Sequence, residues 1–351
     1  MQAILGVFFH FIGGFASGSF YVPFKKVKKW AWESYWIIGG LFSWLIVPPI
    51  AAMLTVPGFW DIIKSTNTST LWWTYFWGVL WGIGGLTYGL GIRYLGMSLG
   101  NSILLGLTAA LGSIIPSVYY NYVPQEGKET FTDMLNSTGG QLVLLGVLVC
   151  LIGIALCGYA GRRKEKESGQ QEQQVKEFNL RKGLTYCIVS GVLSACFNYG
   201  IEAGDPIADM AVERGYNPLF QNNVTYIVLL WGGLTTNFIW CLLLNLRNRS
   251  YTNYLDNKTP LASNYLFAAL AGTTWYLQFF FYGMGESKLG NGASSWILHM
   301  AFIILVSNMW GLLLKEWKGV PRNILTIFLI GLLTILMSVV LVGIGNSLLY
   351  F

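Results

Sequence analysis

The chain has 351 residues, of which 54% are hydrophobic and only 11% charged, and its formal net charge is +6. A soluble domain carries about a quarter charged residues, so a water-facing fold is excluded and most of the surface is built for lipid. At ~20 apolar residues per crossing, ten crossings with short loops use almost the whole length, which leaves no soluble domain of useful size.

Apolar stretches long enough to cross a bilayer run near 3–24, 33–56, 72–94, 97–120, 140–160, 183–203, 223–245, 262–285, 291–314 and 322–346. The first lacks a charged leader and a small-residue cleavage site, and it runs straight into a basic loop, so it is expected to be kept as a helix. Gly14 and Gly18 suit close packing, and His10, Ser17 and Tyr21 share a neighbouring line. A lone histidine near a helix end is ordinarily a hydrogen-bonded packing residue; the sharper reading puts His10 and Tyr21 on a cavity wall. Lys25, Lys26, Lys28 and Lys29 then form a cluster suited to lipid headgroups. Glu33 opens the second stretch in a first turn, where the helix dipole favours a carboxylate.

The third stretch carries Gly78, Gly82, Gly85 and Gly89 at helical spacing, a stripe that lets another backbone come close, and Tyr88 beside it. Between the fifth and sixth stretches, 161–182 is the only long charged connection. Its Lys, Glu and Gln content cannot bury enough surface to fold, so a loop is expected. The sixth stretch places Ser190, Ser194 and Asn198 at successive i+4 steps and closes on Glu202 and Asp205.

The eighth stretch sets Trp275, Gln278, Phe279 and Tyr282 on one face, with Tyr276 on the adjoining line and Glu286 at its end. An amide buried among rings needs a partner. A sugar supplies one, since its C–H face packs on aromatic planes while its hydroxyls bond amide, phenol and indole groups. The ninth adds Ser295, Trp296 and His299 within a turn, and Glu316 closes it. Four polar stripes, on the first, sixth, eighth and ninth stretches, favour a central polar cavity over simple helix pairing. The five cysteines lie inside apolar runs without metal-ligand spacing and read as free thiols. No cofactor motif occurs.

Of the 22 basic residues, 18 fall on the odd connections and only Lys64, Lys128, Arg214 and Lys288 on the even ones. Cytoplasmic loops keep the positive excess, so the odd connections, with the 161–182 linker, are expected in the cytoplasm and both termini outside. The positive charge is then topological and no footprint for nucleic acid. Five helices on each side of the linker enter the membrane in opposite senses, the arithmetic of an inverted repeat: 1–160 is the first five-helix repeat and 183–351 the second. Tyr88, Gly89, Gly91, Leu95 and Gly96 line up with Tyr282, Gly283, Gly285, Leu289 and Gly290, and Gly14, Ser17 and Phe20 with Gly191, Ser194 and Phe197.

The run from His10 through Phe20-Tyr21-Val22-Pro23-Phe24-Lys25-Lys26 to Trp30-Ala31-Trp32-Glu33 resembles the first loop of the L-rhamnose-proton symporter family. Arg93 to Ser98, Glu177-Phe178-Asn179-Leu180, Trp275 to Tyr282, Ser295 to Met300 and Leu314 to Trp317 resemble its later signatures in the same order, over nearly the whole chain. The resemblance implies an all-α polytopic membrane protein of the drug/metabolite transporter fold, ten transmembrane helices as two inverted five-helix repeats. It also implies uptake of L-rhamnose, or a closely related deoxy sugar, with protons, by alternating access in the bacterial inner membrane. The segment 200–205, with Glu202 and Asp205, is more acidic than the family leads one to expect, which leaves a shifted sugar preference open.

The expected sugar site is Gln278, Trp275, Tyr276, Trp296 and His299, with Asn198, Tyr88, Tyr21 and His10 nearby. A coupling proton needs a carboxylate or imidazole whose charge is relieved in one conformation only. Glu33 and His299 fit, and Glu33 is preferred because it combines a membrane-edge position with a family signature. A passive channel would need rings of charge or carbonyls, and a membrane enzyme a nucleophile with a base or a metal cluster; neither pattern occurs in the sequence. A metabolite exporter of the same superfamily is the alternative with the same fold. The absence of Lys or Arg inside the central helices argues against sugar phosphates.

Overall fold

The computed structural model describes residues 2–95, 97–125, 127–167, 180–313, 315 and 317–349. Glu316, the signature residues Glu177, Phe178 and Asn179, and the middle of the 161–182 linker lie outside the described residues. Among those described the chain is all helix, with no strand.

The helices in order are α1 (Gln2–Ser19), α2 (Tyr21–Phe24), α3 (Trp32–Gly40), α4 (Val47–Thr55), α5 (Phe59–Ser65), α6 (Thr68–Leu95), α7 (Met97–Tyr122) and α8 (Phe131–Asn136). After them come α9 (Thr138–Glu167), α10 (Leu180–Ala203), α11 (Asp205–Glu213), α12 (Asn222–Asn248), α13 (Leu261–Leu289), α14 (Gly292–Leu313) and α15 (Arg322–Leu349). Among the described residues eight segments are long and apolar enough to cross a membrane: Gln2–Phe24, Trp32–Thr55, Gly100–Tyr122, Thr138–Glu167, Arg181–Glu213, Pro218–Asn248, Gly292–Leu313 and Arg322–Leu348. The chain is a multi-pass membrane protein. The third and eighth apolar stretches form α6 and α13, which are 28 and 29 residues long.

Local chemistry sets the breaks. Between α3 and α4 the helix widens into a π turn over Leu41–Ile46, where Val47 N–H reaches back to Phe42 O. Pro48 has no N–H to return to the preceding turn and its ring crowds the carbonyl four residues back, so the wider winding relieves the clash. Gly204 precedes Asp205-Pro206 and separates α10 from α11. Gly290, at φ 66°, ends α13 with a left-handed residue that only glycine adopts cheaply. Thr130 caps α8 through a reciprocal pair with Asp133, whose carboxyl the Thr130 hydroxyl and N–H hold below the usual carboxylate range.

The ends of the linker differ from expectation. Residues 161–167 are the last turns of α9, and 180–182 the first turn of α10. Basic side chains in a last turn complement the helix dipole, Arg163 lies 3.5 Å from Glu167, and Lys164 lies over the Trp317 ring at 4.7 Å.

In lipid, helices associate by close backbone approach rather than by burial of oil-like surface. A Cβ on Gly78 would stand 2.0 Å from Leu229 O and one on Gly232 2.1 Å from Tyr75 O, so α6 and α12 meet backbone to backbone. Gly39 of α3 and Gly272 of α13 meet in the same way, at 2.0 Å. The packing is reciprocal: α1 lies on α13 and α14, α10 lies on α6 and α7, and α9 pairs with α15. Four of the five free cysteines are buried and Cys157 is half-buried.

Candidate functional site: a central cavity and the packed layer beside it

A cavity of about 490 Å³ opens among α1, α2, α3, α6, α7, α10, α12, α13 and α14. Its mouth carries exposed Lys25 and Tyr21, at the end of the molecule marked by the Lys25 to Lys29 cluster. Asn264 of α13 fixes that basic loop by accepting from Lys28 N–H at 3.0 Å and donating to Lys28 O at 2.9 Å.

The wall is aromatic with a few polar groups. Trp44 stands edge-on to Trp81 and Trp275, with ring centroids 6.2 and 5.9 Å away, and Trp81 and Trp275 are 5.6 Å apart. Trp44 Nε1 is buried and has no hydrogen-bond partner among the described residues. Asn237 accepts from Trp36 Nε1 at 3.1 Å, and Tyr88 donates to Asn101. Gly85 has open space where a Cβ would stand, which adds to the room between the tryptophans.

Away from the mouth Phe197 and Phe279, stacked with centroids 4.0 Å apart, stand against Trp81 and Trp275, each at 5.1 Å. Behind them His10, Tyr282, Trp296 and His299 are packed ring against ring and fully or almost fully buried. Tyr282 lies 5.1 Å from His10 and 5.2 Å from His299, and the two imidazoles are 6.1 Å apart, centroid to centroid. Neither nitrogen of either histidine has a hydrogen-bond partner, and the same holds for Tyr276 OH, Gln278 Nε2 and Ser295 Oγ.

The residues expected at the site therefore divide. Tyr21, Tyr88 and Trp275 border the cavity. His10, Asn198, Tyr276, Gln278, Trp296 and His299 belong to the packed layer. Two of these are tied to backbone: Asn198 Nδ2 donates to Gly112 O at 2.9 Å and Trp296 Nε1 to Thr108 O at 2.9 Å. On the sixth-stretch stripe Ser190 joins helices by donating to Gly84 O at 2.7 Å, while Ser194 borders the cavity. In the glycine stripe Gly78 and Gly82 pack on α12, and Gly82 and Gly85 border the cavity. Glu33 touches neither region. It accepts from Ser250 Oγ at 2.6 Å and Asn248 Nδ2 at 3.0 Å, which clamps the corner after α12 onto α3.

At the end opposite the mouth, Lys128 pairs with Glu202 at 2.8 Å and with Asp205. Burial would lower the lysine's pKa, but the two carboxylates outweigh it and raise it. Burial raises the pKa of neighbouring Glu129, against the pull of the Asn291 amide.

Residues 1–348 match the model of the family described as L-rhamnose-proton symport protein (RhaT). The chain belongs to that family. L-rhamnose-proton symporters of Yersinia pestis (strain Pestoides F) and Yersinia pseudotuberculosis serotype O:1b (strain IP 31758) are each 40% identical to it over 349 residues, 98% of this chain and 98% of theirs. A solved crystal structure matches 97% of this chain and 97% of its own at a TM-score of 0.53 and 14% identity, a likeness of fold alone. The L-rhamnose-proton symport family is one of transporters and not of enzymes.

In this symport-family member, sequence reasoning missed Trp44, Trp81, Asn101 and Asn237 on the wall. A usable signal exists for the two amides, since each is isolated inside an apolar run and a buried amide must find a partner. The tryptophans carry no such mark among 15 in the chain.

Proposed function

We propose that this chain takes up L-rhamnose, or a closely related deoxy sugar, together with protons by alternating access, and that the sugar binds in the central cavity. The observation that carries the reading is the cavity itself: its volume lies within the ~300–1,000 Å³ of small-molecule sites, its walls are indole planes with amide and hydroxyl groups between them, and among the described residues the one cation that lines it, Lys25, stands at the mouth. Stacking planes and neutral hydrogen-bonding groups suit an uncharged sugar. The names of the relatives supply the sugar and the coupling ion.

The same reading takes α6 and α13 as crossings, because 28 and 29 residues reach about 40 Å at 1.5 Å per residue. Ten crossings then form two inverted repeats of five, 1–160 and 183–351. The reciprocal packing supports this: the first helix of each half lies on the third and fourth of the other, and the fifth helices pair. With the basic end in the cytoplasm of the bacterial inner membrane and both termini outside, the cavity faces inward. The packed layer is then the closed outer gate, with Gln278, Tyr276 and Trp296 lining the sugar's path once it opens. His299, one turn from the cavity-lining Ile303, is the proton carrier that this geometry favours over Glu33.

A proton moving down a 150 mV force at ~2.3 kcal/mol per 100 mV supplies ~3.4 kcal/mol, or roughly 300-fold accumulation. Proteoliposomes with an imposed proton gradient should concentrate labelled L-rhamnose, and a protonophore should collapse the gradient of sugar. Efflux of sugar under the same gradient, or no movement of it, would sink this reading.

A further inference from the structure

Two carboxylates, Glu202 and Asp205, meet the Lys128 ammonium at the end opposite the cavity mouth, and a third, Glu286, lies beside them. Besides its two bonds to Lys128, this group holds Tyr120, which donates to Glu202 Oε2 at 2.6 Å. Glu286 of α13 accepts from Asn222 Nδ2 at 2.6 Å and makes no ion pair among the described residues. A Cβ on Gly292 would stand 2.4 Å from Glu202 Oε1 and 3.9 Å from Glu286 Oε1, so both carboxyl groups share the space that glycine leaves in front of α14. Glu129 closes the side through Asn291 Nδ2 at 2.6 Å, and Asp209 lies one turn beyond Asp205. Lys288 borders a different hollow, beside Gln2 and Asn346. The Glu202 and Asp205 side chains keep 12% and 28% of their surface exposed.

A second, independent feature leads inward from them. Tyr226 OH is fully buried without a hydrogen-bond partner and ends 3.0 Å from the Cβ position of Gly283, on the face of α13 that carries Glu286 one turn on. His10 Nε2, also unpartnered, ends 2.7 Å from the Cβ position of Gly285, the residue before Glu286. His299 follows His10, and a Cβ on Gly13 would be 3.3 Å from its ring. Gly13 is one turn from Ser17, and His299 one turn from Ile303; both Ser17 and Ile303 border the cavity. The two imidazoles, with ring centroids 6.1 Å apart, thus stand between the turn of α13 that carries Glu286 and the cavity.

We propose that Glu286, with Glu202 and Asp205, is where the transported proton is loaded from outside, and that His10 and His299 hand it to the cavity. A carboxyl group among other carboxylates and short of cations favours the proton. An imidazole takes a proton on one nitrogen and releases one from the other, so one proton leaves outer water and one enters water in the cavity, with no bond to the sugar made or broken. Lys128 belongs to the connection after α7, and Glu202 and Asp205 to the other half of the chain. Opening the outer side parts them and takes the cation away from the carboxylates. Gate position and proton occupancy are linked in this way.

This inference rests on the reading of the chain as a rhamnose-proton symporter, and the test separates the two. Full-length protein in proteoliposomes is assayed for L-rhamnose binding by calorimetry, for sugar counterflow without a gradient, and for accumulation under a proton gradient. Glu286→Gln is expected to bind and exchange sugar yet lose at least ~10-fold of the accumulation, and His10→Gln, which leaves the carboxylates untouched, is expected to do the same. Normal accumulation by either variant overturns the proposal, as does loss of counterflow together with accumulation in His10→Gln. Should Glu286→Gln fail to fold, His10→Gln decides alone. If the unmodified protein neither binds nor accumulates L-rhamnose, the functional reading falls first, whatever the variants do.

Discussion

The cavity and the packed layer beside it are made from the same residue types, tryptophan, tyrosine and amide, in helices that run through both. In the cavity they stand apart around about 490 Å³. In the layer they are pressed into ring contacts and leave five side chains with unpaired polar atoms. Buried polar atoms without partners cost roughly 1–3 kcal/mol each, and a layer fixed for stability alone would have shed them. A layer that opens in another conformation gives them water or sugar as partners part of the time. The difference between the regions is therefore one of access, and chemistry alone does not show it.

Accessibility is the sharpest way to break the comparison. Ser307→Cys on the cavity wall should react with a membrane-impermeant thiol reagent from the basic side about 100-fold faster than Ser295→Cys in the layer, since only a solvated thiolate reacts. Equal rates would abolish the distinction. Adding L-rhamnose outside should raise the rate at Ser295→Cys as the carrier cycles.

The next largest effect concerns sugar affinity. Trp44→Phe keeps a ring on the wall and removes the unpaired N–H, so binding of L-rhamnose measured by calorimetry should weaken by ~1–3 kcal/mol, or roughly 5- to 150-fold. Gln278→Ala, in the layer, should change inward-side binding far less and slow net uptake instead. If Gln278→Ala weakens binding as much as Trp44→Phe, the sugar site extends into the layer.

Glycines offer a smaller contrast. Gly82→Ala would push a methyl to 2.0 Å from Thr236 Oγ1, and the overpacking should cost about 1–3 kcal/mol, seen as a lower melting temperature. Gly85→Ala meets open space, should melt normally, and should narrow the site by one methyl group. The smallest effect is expected of Glu33→Gln. Ser250 and Asn248 both donate to the same oxygen, Oε1, so an amide oxygen in its place keeps both hydrogen bonds, and gradient-driven uptake should stay within several-fold of the unmodified protein. Sugar exchange that persists while accumulation vanishes would instead make Glu33 the coupling carboxylate.

Much of this architecture is legible from residues alone, because a crossing needs a long apolar run and nothing else in a chain mimics it. The short helices α5, α8 and α11 escape such a reading, since each is too short to show a period: α8 depends on the cap of Thr130 with Asp133, and α5 and α11 on the apolar packing of Phe59, Ile62, Ile207 and Ala211. The widened turn before Pro48 escapes it too, although the proline pair marks the place. At the site, Trp275, Tyr88 and Tyr21 emerge because aromatic and polar residues recur at helical spacing. Which side of a helix faces the cavity does not emerge, because lipid-facing and core-facing positions are equally apolar. That is why Gln278 and Trp275, three residues apart on one face, end in different regions.

The three tryptophans of the wall have an optical consequence. With centroids 5.6 to 6.2 Å apart, their indole transitions mix, and two of the three pairs are crossed at nearly right angles. Such coupled chromophores give a paired band of opposite signs in circular dichroism, whose size depends steeply on separation and tilt. The cavity wall thereby carries its own label, and any change in the spacing of α6, α13 and the widened turn after α3 is written into the ultraviolet spectrum of the unmodified protein.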